Sequence, residues 1–113
     1  MTSSNPRDLF PGALELMALR LLQHQPAHGY ALVQRITVAS SSLLRVEEGS
    51  LYPALQRLLK AGLVRASWEM SATNRRVRVY RITPSGARHL EQETSAFEQM
   101  LLGVSRVMAL GEA

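Results

Sequence analysis

Apolar residues recur at helical spacing in the N-terminal third of the chain, and they predict two helices. The first runs from Pro11 to Gln25, where Pro26 ends it. The second runs from Gly29 to Ala39, and a serine cluster at 40–42 ends it. The apolar stripe of the first helix is Leu14, Met17, Leu21 and Leu22, and that of the second is Tyr30, Val33 and Ile36 or Thr37.

The stretch EEGSLYPALQRLLKAGLVR, residues 47–65, predicts a third helix. Ser50 is a suitable N-cap, and Pro53 would fall in the first turn, where its missing N–H breaks no helical bond. Gly62 supplies the C-terminal stop. The buried face is expected to be Leu51, Leu55 and Leu58. The outward face is then Ser50, Tyr52, Pro53, Gln56, Arg57 and Lys60.

Two alternating segments follow, 63–70 and 75–83, and they predict a β-hairpin with its turn at 71–74. The second strand places Arg76 and Arg78 on the same face as Tyr80 and Ile82, with the arginines nearest the turn. A hairpin with an apolar base and a basic tip is suited to project from the body. Trp68 is expected to pack the hairpin onto the body, and a ligand-stacking role for its ring is left open.

A final helix is predicted from Pro84 to Leu110, with Thr83 as its N-cap. Its length would be about 40 Å at ~1.5 Å per residue, whereas a globule of this size has a radius of gyration near ~13 Å. We therefore expect an intermolecular seam and a homodimer; the alternative is a helix folded back on the first one. Alternating spacings of four and three connect Leu90, Thr94, Phe97, Leu101, Val104 and Met108. All of these except Thr94 form the predicted dimerisation seam.

The predicted order of elements is helix, helix, helix, hairpin, helix. This is a mainly α fold with a β-hairpin wing, a winged helix-turn-helix followed by a long C-terminal dimerisation helix. The chain has 113 residues, so one small core is expected, which a second chain would help to complete. We divide it into a winged-helix DNA-binding domain, residues 1–83, and a dimerisation helix, residues 84–113.

Charge is unevenly distributed along the chain. The formal net charge is +4, yet the segment between Gln56 and His89 contains eight arginines and lysines and a single acidic residue, Glu69. Such a basic block predicts a polyanionic partner, with a solvated basic face as the alternative. We predict DNA contacts from Arg75, Arg76 and Arg78 on the hairpin, in addition to those from the outward face of the third helix. Tyr52 could bond a phosphate there, or be an ordinary partly buried aromatic.

Other kinds of chemistry have little support in the sequence. The absence of cysteine excludes disulfides and thiolate metal sites and fits a cytoplasmic protein. No apolar run reaches the roughly 20 residues of a membrane span, and no secretion signal opens the chain. His24 and His28 are separated by Pro26, which prevents a helical chelate, so no metal site is predicted even with His89 as a third ligand. No nucleophile or nucleotide-binding motif occurs, so we expect neither an enzyme nor a cofactor.

Several short motifs, at their spacing in this chain, closely resemble the PadR family of bacterial transcriptional regulators. They are His28-Gly29-Tyr30, Gly49-Ser50-Leu51-Tyr52-Pro53-Ala54-Leu55, Leu58 with Gly62-Leu63-Val64, Trp68-Glu69, and Arg78-Val79-Tyr80-Arg81-Ile82-Thr83 with Gly86. The resemblance departs from the family pattern at the wing, where the turn lacks a glycine and Val79 replaces one of a tyrosine pair.

The resemblance implies a homodimeric repressor that binds an inverted-repeat operator in double-stranded DNA. Ser50 to Lys60 would be the recognition helix and Arg75 to Arg81 would belong to the wing. Members of the family sense phenolic acids or drugs, so a small-molecule effector is a further candidate partner. Two alternatives stay open: a nonspecific architectural protein that binds nucleic acid, and a winged-helix module that binds protein.

Overall fold

The order of elements predicted from the sequence is confirmed in a computed structural model that describes residues 12–111. Over that range the chain forms four helices and a three-stranded antiparallel sheet with strand order β1-β3-β2. The helices are α1 (Ala13–His24), α2 (Gly29–Ala39), α3 (Glu48–Lys60) and α4 (Pro84–Met108), and the strands are β1 (Ala27–His28), β2 (Val64–Met70) and β3 (Arg76–Ile82). The architecture is a mainly helical winged helix with a long C-terminal helix.

The core is formed where α1, α2 and α3 pack together against the base of the sheet. In α1 the predicted stripe is confirmed in part: Leu22 is buried, and Leu14, Met17 and Leu21 are half-buried. The other buried positions of the helix are Ala18 and Leu19. In α2 the limits match the prediction, but Tyr30 is exposed and the buried positions are Gly29, Leu32 and Ile36. The His28 Nδ1 atom accepts a hydrogen bond from the Ala31 N–H at 3.2 Å and so caps α2.

Strand β1 was not predicted, because two residues are too few to show an alternating pattern. It pairs antiparallel with β3, with Ala27 opposite Tyr80 and His28 opposite Val79. The pairing joins the residues just before α2 to the base of the hairpin. The start of α2 is thereby held close to the wing.

The hairpin of β2 and β3 is in the predicted place, and its register puts Val64 opposite Ile82 and Trp68 opposite Arg78. The turn has no glycine, but Asn74 takes a left-handed conformation with φ 61°. Asparagine adopts that conformation more readily than most residues, so a tight turn forms here without glycine.

The joint between the hairpin and α4 is closed by Thr83 and Gly86. As predicted, Thr83 is the N-cap: its Oγ1 accepts from the Gly86 N–H at 3.0 Å and donates to the Gly62 carbonyl at 2.8 Å. A Cβ on Gly86 would lie 2.1 Å from the Leu63 carbonyl oxygen. Only glycine therefore allows the first turn of α4 to approach the connection between α3 and β2 so closely.

Helix α4 extends well beyond the core. Its N-terminal half packs against α1 and buries Leu90, which is 2% exposed. Farther along, Leu101, Val104 and Met108 of the predicted seam are exposed, and the molecule measures 58 × 30 × 27 Å. The first half of α4 therefore folds back on α1, as the alternative prediction had it, whereas the second half does not.

Candidate nucleic-acid interface

The exposed face of α3 carries every residue predicted for it from the sequence. Buried positions at helical spacing, Leu51, Ala54, Leu55 and Leu58, fix the orientation of the helix against the core. The side chains left toward solvent are Ser50, Tyr52, Pro53, Gln56, Arg57 and Lys60. The helix ends at Lys60, just before the predicted stop at Gly62, which has φ 74°. Its neighbour Leu63 donates to the Leu58 carbonyl.

The start of α3 differs from the prediction. The helix begins at Glu48 with Glu47 as N-cap, and the Ser50 N–H already donates to the Glu47 carbonyl at 3.0 Å. Ser50 is thus inside the first turn, and its predicted capping role is wrong. Pro53 lies in the second turn, where its missing N–H leaves the Gly49 carbonyl without the usual helical donor. The hydroxyl of Ser50, which caps nothing, is exposed on the outward face.

Tyr52 is 41% exposed, and its ring lies against the body of the domain. The ring covers Gly29 at the start of α2 so closely that a Cβ there would be 2.7 Å from the Tyr52 hydroxyl oxygen. Burial raises the pKa of the Tyr52 hydroxyl, and the negative charge of Glu48 raises it further. The hydroxyl lies beside Gly29 at the start of α2.

Arg57 is tied to α1 through an ion pair. Its Nε lies 3.0 Å from Oε2 of Glu15, and both side chains keep solvent access. The pair fixes the direction of the Arg57 side chain, and at an exposed site it stabilises the fold by about 0–1 kcal/mol at most. Lys60, one turn farther along, has no carboxylate partner within residues 12–111.

The wing has two chemically different faces, which follow from its register. The face that packs on the core at its base, through Val64 and Tyr80, continues toward the turn as Trp68, Met70, Arg76 and Arg78. The Arg76 guanidinium carbon lies 4.8 Å from the centroid of the Trp68 ring, and that of Arg78 lies 5.9 Å from the centroid of Tyr80. We name Trp68, Met70, Arg76 and Arg78 the wing tip face.

Trp68 does not pack the hairpin onto the body, contrary to the prediction. Its side chain is 57% exposed, beyond the point where the hairpin leaves the core. That packing is done instead by Val64 and Tyr80, which are buried. Strict alternation assigned Trp68 to the core-facing side correctly but could not show how far along the hairpin the core extends.

The opposite face of the hairpin is largely neutralised. Arg81 donates from NH1 to Oε2 of Glu69 and, at 3.3 Å, to the Ser67 hydroxyl. The hydrogen bonds from Arg81 and Ser67 hold the pKa of Glu69 below its usual value. Arg75 lies in the turn, where its N–H donates to the Ser71 hydroxyl at 3.1 Å. Apart from Arg65, which is exposed on this opposite face near the base of the hairpin, the wing cations without a carboxylate partner among residues 12–111 lie at the turn and on the wing tip face.

The sequence analysis did not single out Gly29 or Tyr80 as parts of this surface. Tyr80 is buried at the base of the wing, and its electrostatic influence is a minor cause of the raised pKa of Tyr52. Tyr80 therefore lies near both Tyr52 of α3 and Arg78 of the wing tip face. In the sequence, both residues stand beside residues of interest, Gly29 before Tyr30 and Tyr80 two positions after Arg78. That position alone did not indicate their place in the surface, which depends on tertiary packing.

Neither a metal site nor a membrane span is found in the described range. His28 uses its Nδ1 as a helix cap, and within residues 12–111 no three histidine, aspartate or glutamate side chains are grouped closely enough to hold an ion. In the same part of the chain, no helix combines the length and apolar character required to cross a bilayer.

Comparison with known proteins agrees with the fold. The family model described as "Transcriptional regulator PadR-like family" matches residues 18–92. Transcriptional regulator Rv3488 of Mycobacterium tuberculosis is 34% identical over 94 residues, which cover 83% of this chain and 84% of that protein. A transcriptional regulator from Clostridium thermocellum is 27% identical, with a TM-score of 0.78 over 94% of this chain and 97% of that one.

A further solved structure, Bacillus subtilis PadR in complex with operator DNA, shares the fold. It is 21% identical, with a TM-score of 0.65, and the match covers 72% of this chain and 46% of that chain. The family model extends from the middle of α1 into α4, so it includes α3, the hairpin and the joint between them. The chain belongs to the PadR-like family of transcriptional regulators.

Proposed function

We propose that this protein is a sequence-specific DNA-binding transcriptional regulator that acts as a homodimeric repressor. The observation that carries the proposal is that the outward face of α3 and the arginines of the wing tip face are both exposed, with Tyr52 of α3 electrostatically coupled to Tyr80, over which Arg78 lies. Bacillus subtilis PadR, which shares this fold, was solved in complex with operator DNA. In this protein we expect α3 and the wing to make the DNA contacts.

The roles of the residues follow from their chemistry and position. On α3, Gln56 can hydrogen-bond base edges in the major groove, and Ser50, Tyr52 and Lys60 can bond phosphates, with Pro53 in apolar contact. On the wing, Arg75, Arg76 and Arg78 supply charge to the adjacent backbone or minor groove. Arg57 is held by Glu15, so we assign it the smaller role of orienting α3.

We propose that the second half of α4 forms the dimer interface. Leu101, Val104 and Met108 are exposed along one stripe of a helix that continues past the core. A groove of about 430 Å³ between α1, the end of α3 and α4 adjoins this stripe, with Leu16, Phe97 and Met100 among its lining residues. A second copy would cover these apolar surfaces, which a small domain rarely leaves in water.

A dimer of this kind would present two recognition helices to the same face of the duplex. Half-sites of an inverted repeat about 34 Å apart would match the twofold axis. Residues 1–83 would bind DNA and residues 84–113 would join the protomers. A small-molecule effector at the interface would act by changing the relative angle of the two DNA-binding units.

The test is an electrophoretic mobility shift at physiological salt, with the DNA upstream of the protein's own gene and a scrambled duplex of equal length. We expect binding to the native fragment at least about a thousandfold tighter. Equal affinities across a genomic selection would favour the architectural alternative. No binding to any duplex would favour the protein-interaction alternative.

Variants of the wing test the site assignment in the same assay. The double substitution Arg76→Ala and Arg78→Ala should reduce the slope of log affinity against log salt by about 0.9 for each lost phosphate contact. Arg65→Ala is the matched control, since Arg65 is also exposed on the hairpin but lies on the face of Arg81. An unchanged slope for the double variant would remove the wing tip face from the DNA contact.

A further inference from the structure

Two arginines on the same hairpin are held in place in two different ways. Arg81 is fixed by the Glu69 carboxylate, which also neutralises its charge. Arg76 lies over the Trp68 ring at 4.8 Å, and within residues 12–111 it has no carboxylate partner. A stack on an aromatic face restricts a guanidinium without cancelling its charge. Arg76 is therefore ordered and still able to attract an anion.

The geometry explains why this tryptophan is exposed. Trp68 lies opposite Arg78, and Arg76 crosses diagonally from the next pair to reach its ring, so both arginines turn back from the tip toward the body. An indole that is 57% exposed contributes little to the core. Its ring instead lies beneath the Arg76 guanidinium on the wing tip face.

We propose that Trp68 is a positioning residue of the DNA interface, which holds the Arg76 guanidinium in its phosphate-binding orientation before DNA arrives. The proposal rests on the proposed function. Ordering a long side chain on binding costs about 0.5–1.5 kcal/mol. A guanidinium already restricted by the indole avoids part of that cost, so affinity rises without an additional contact to DNA. Trp68 acts through Arg76 and does not need to contact DNA itself.

A double-mutant cycle on the operator fragment tests this role. Trp68→Leu removes the aromatic face, and we expect a loss of about two- to fivefold in affinity per wing, the size of an exposed cation–π contact. In an Arg76→Ala background, Trp68→Leu should cause no further loss. Trp68→Phe, which keeps a ring, should recover part of the affinity. Val77→Ala is the matched control, because Val77 lies opposite Glu69 on the other face of the hairpin.

The intrinsic fluorescence of the protein provides a second readout, since Trp68 is the single tryptophan of the chain. Arg76→Ala should change the emission of the protein without DNA, whereas Arg65→Ala on the opposite face should not. This comparison tests only the stacking of Arg76 on Trp68. Both variants keep Trp68, so the result does not depend on whether Trp68→Leu folds.

Three outcomes would overturn the positioning role while the unsubstituted protein still binds its operator. They are an unchanged affinity of Trp68→Leu, an equal loss from Trp68→Leu with and without Arg76, and an emission spectrum insensitive to Arg76→Ala. The second outcome would mean that Trp68 contacts DNA directly. If the unsubstituted protein bound no duplex at all, the proposed function itself would fail.

Discussion

The ring of Tyr52 in α3 covers Gly29 at the first position of α2, and a Cβ on Gly29 would lie 2.7 Å from Cε1 of that ring. The two residues belong to different helices of the DNA-binding unit, and their contact sets the spacing between the helices at the end nearest the wing. It also explains a feature of the sequence that periodicity does not: a glycine, a poor helix former, opens α2.

Gly29→Ala should therefore move the Tyr52 ring. Because the clashing atoms are at the far end of a side chain that can rotate, we expect a loss of about 0.5–1.5 kcal/mol in the free energy of unfolding, the cost of an unfavourable rotamer. Chemical denaturation measures this loss. In a Tyr52→Ala background the loss should disappear, and an equal loss in both backgrounds would mean that Gly29 is required for another reason.

Gly86→Ala should be the more damaging substitution. The added Cβ would lie 2.1 Å from the Leu63 carbonyl oxygen, a backbone atom that cannot rotate away, so α4 must separate from the hairpin joint. We expect a loss of about 1–3 kcal/mol or more in the free energy of unfolding, measured by denaturant titration. Gly49→Ala is the control, since a Cβ on Gly49 meets nothing within 4 Å. Equal effects of the two substitutions would contradict the close approach at Gly86.

The ion pair of Glu69 and Arg81 should make the wing sensitive to acid. Hydrogen bonds from Arg81 and Ser67 lower the pKa of Glu69 in the folded state, so its stabilising effect is present above the pKa of the unfolded chain. The effect is lost as the pH falls through the lowered folded-state pKa. Thermal unfolding followed by Trp68 emission should show the protein more stable than Glu69→Gln at pH 7, with the difference vanishing in acid. A difference that persists below that pKa would show that the carboxylate charge is not its cause.

The proposed dimer interface can be tested with two adjacent leucines. Leu101 lies on the apolar stripe and is 39% exposed, while Leu102 is 44% exposed and points about 100° away around the helix. Leu101→Glu should produce monomers in analytical ultracentrifugation and weaken operator binding, because a carboxylate would be buried in the seam. Leu102→Glu should leave the dimer intact. Monomers in both cases, or in neither, would place the interface elsewhere.

Local features of the fold could be predicted from the sequence with good accuracy. The limits of α2, the position of the hairpin and the Thr83 cap before Pro84 all follow from residue types within a few positions of one another. The start of α3 was misplaced because Ser50 is a good capping residue and Glu47 is not. The carbonyl of Glu47 made the first helical bonds in spite of its side chain.

Local sequence patterns were sufficient to specify the helices, the hairpin and the exposed face of α3, because periodicity and capping depend on neighbours along the chain. The tertiary structure decided which distant residues meet: Tyr52 with Gly29, Arg57 with Glu15, and the two residues of β1 with β3. Tertiary packing also ends the core before Trp68, so the Trp68 ring is exposed and lies beneath the Arg76 guanidinium. These contacts depend on how far each element extends past the shared core. Three-dimensional packing sets that distance, so it cannot be predicted from a local sequence pattern.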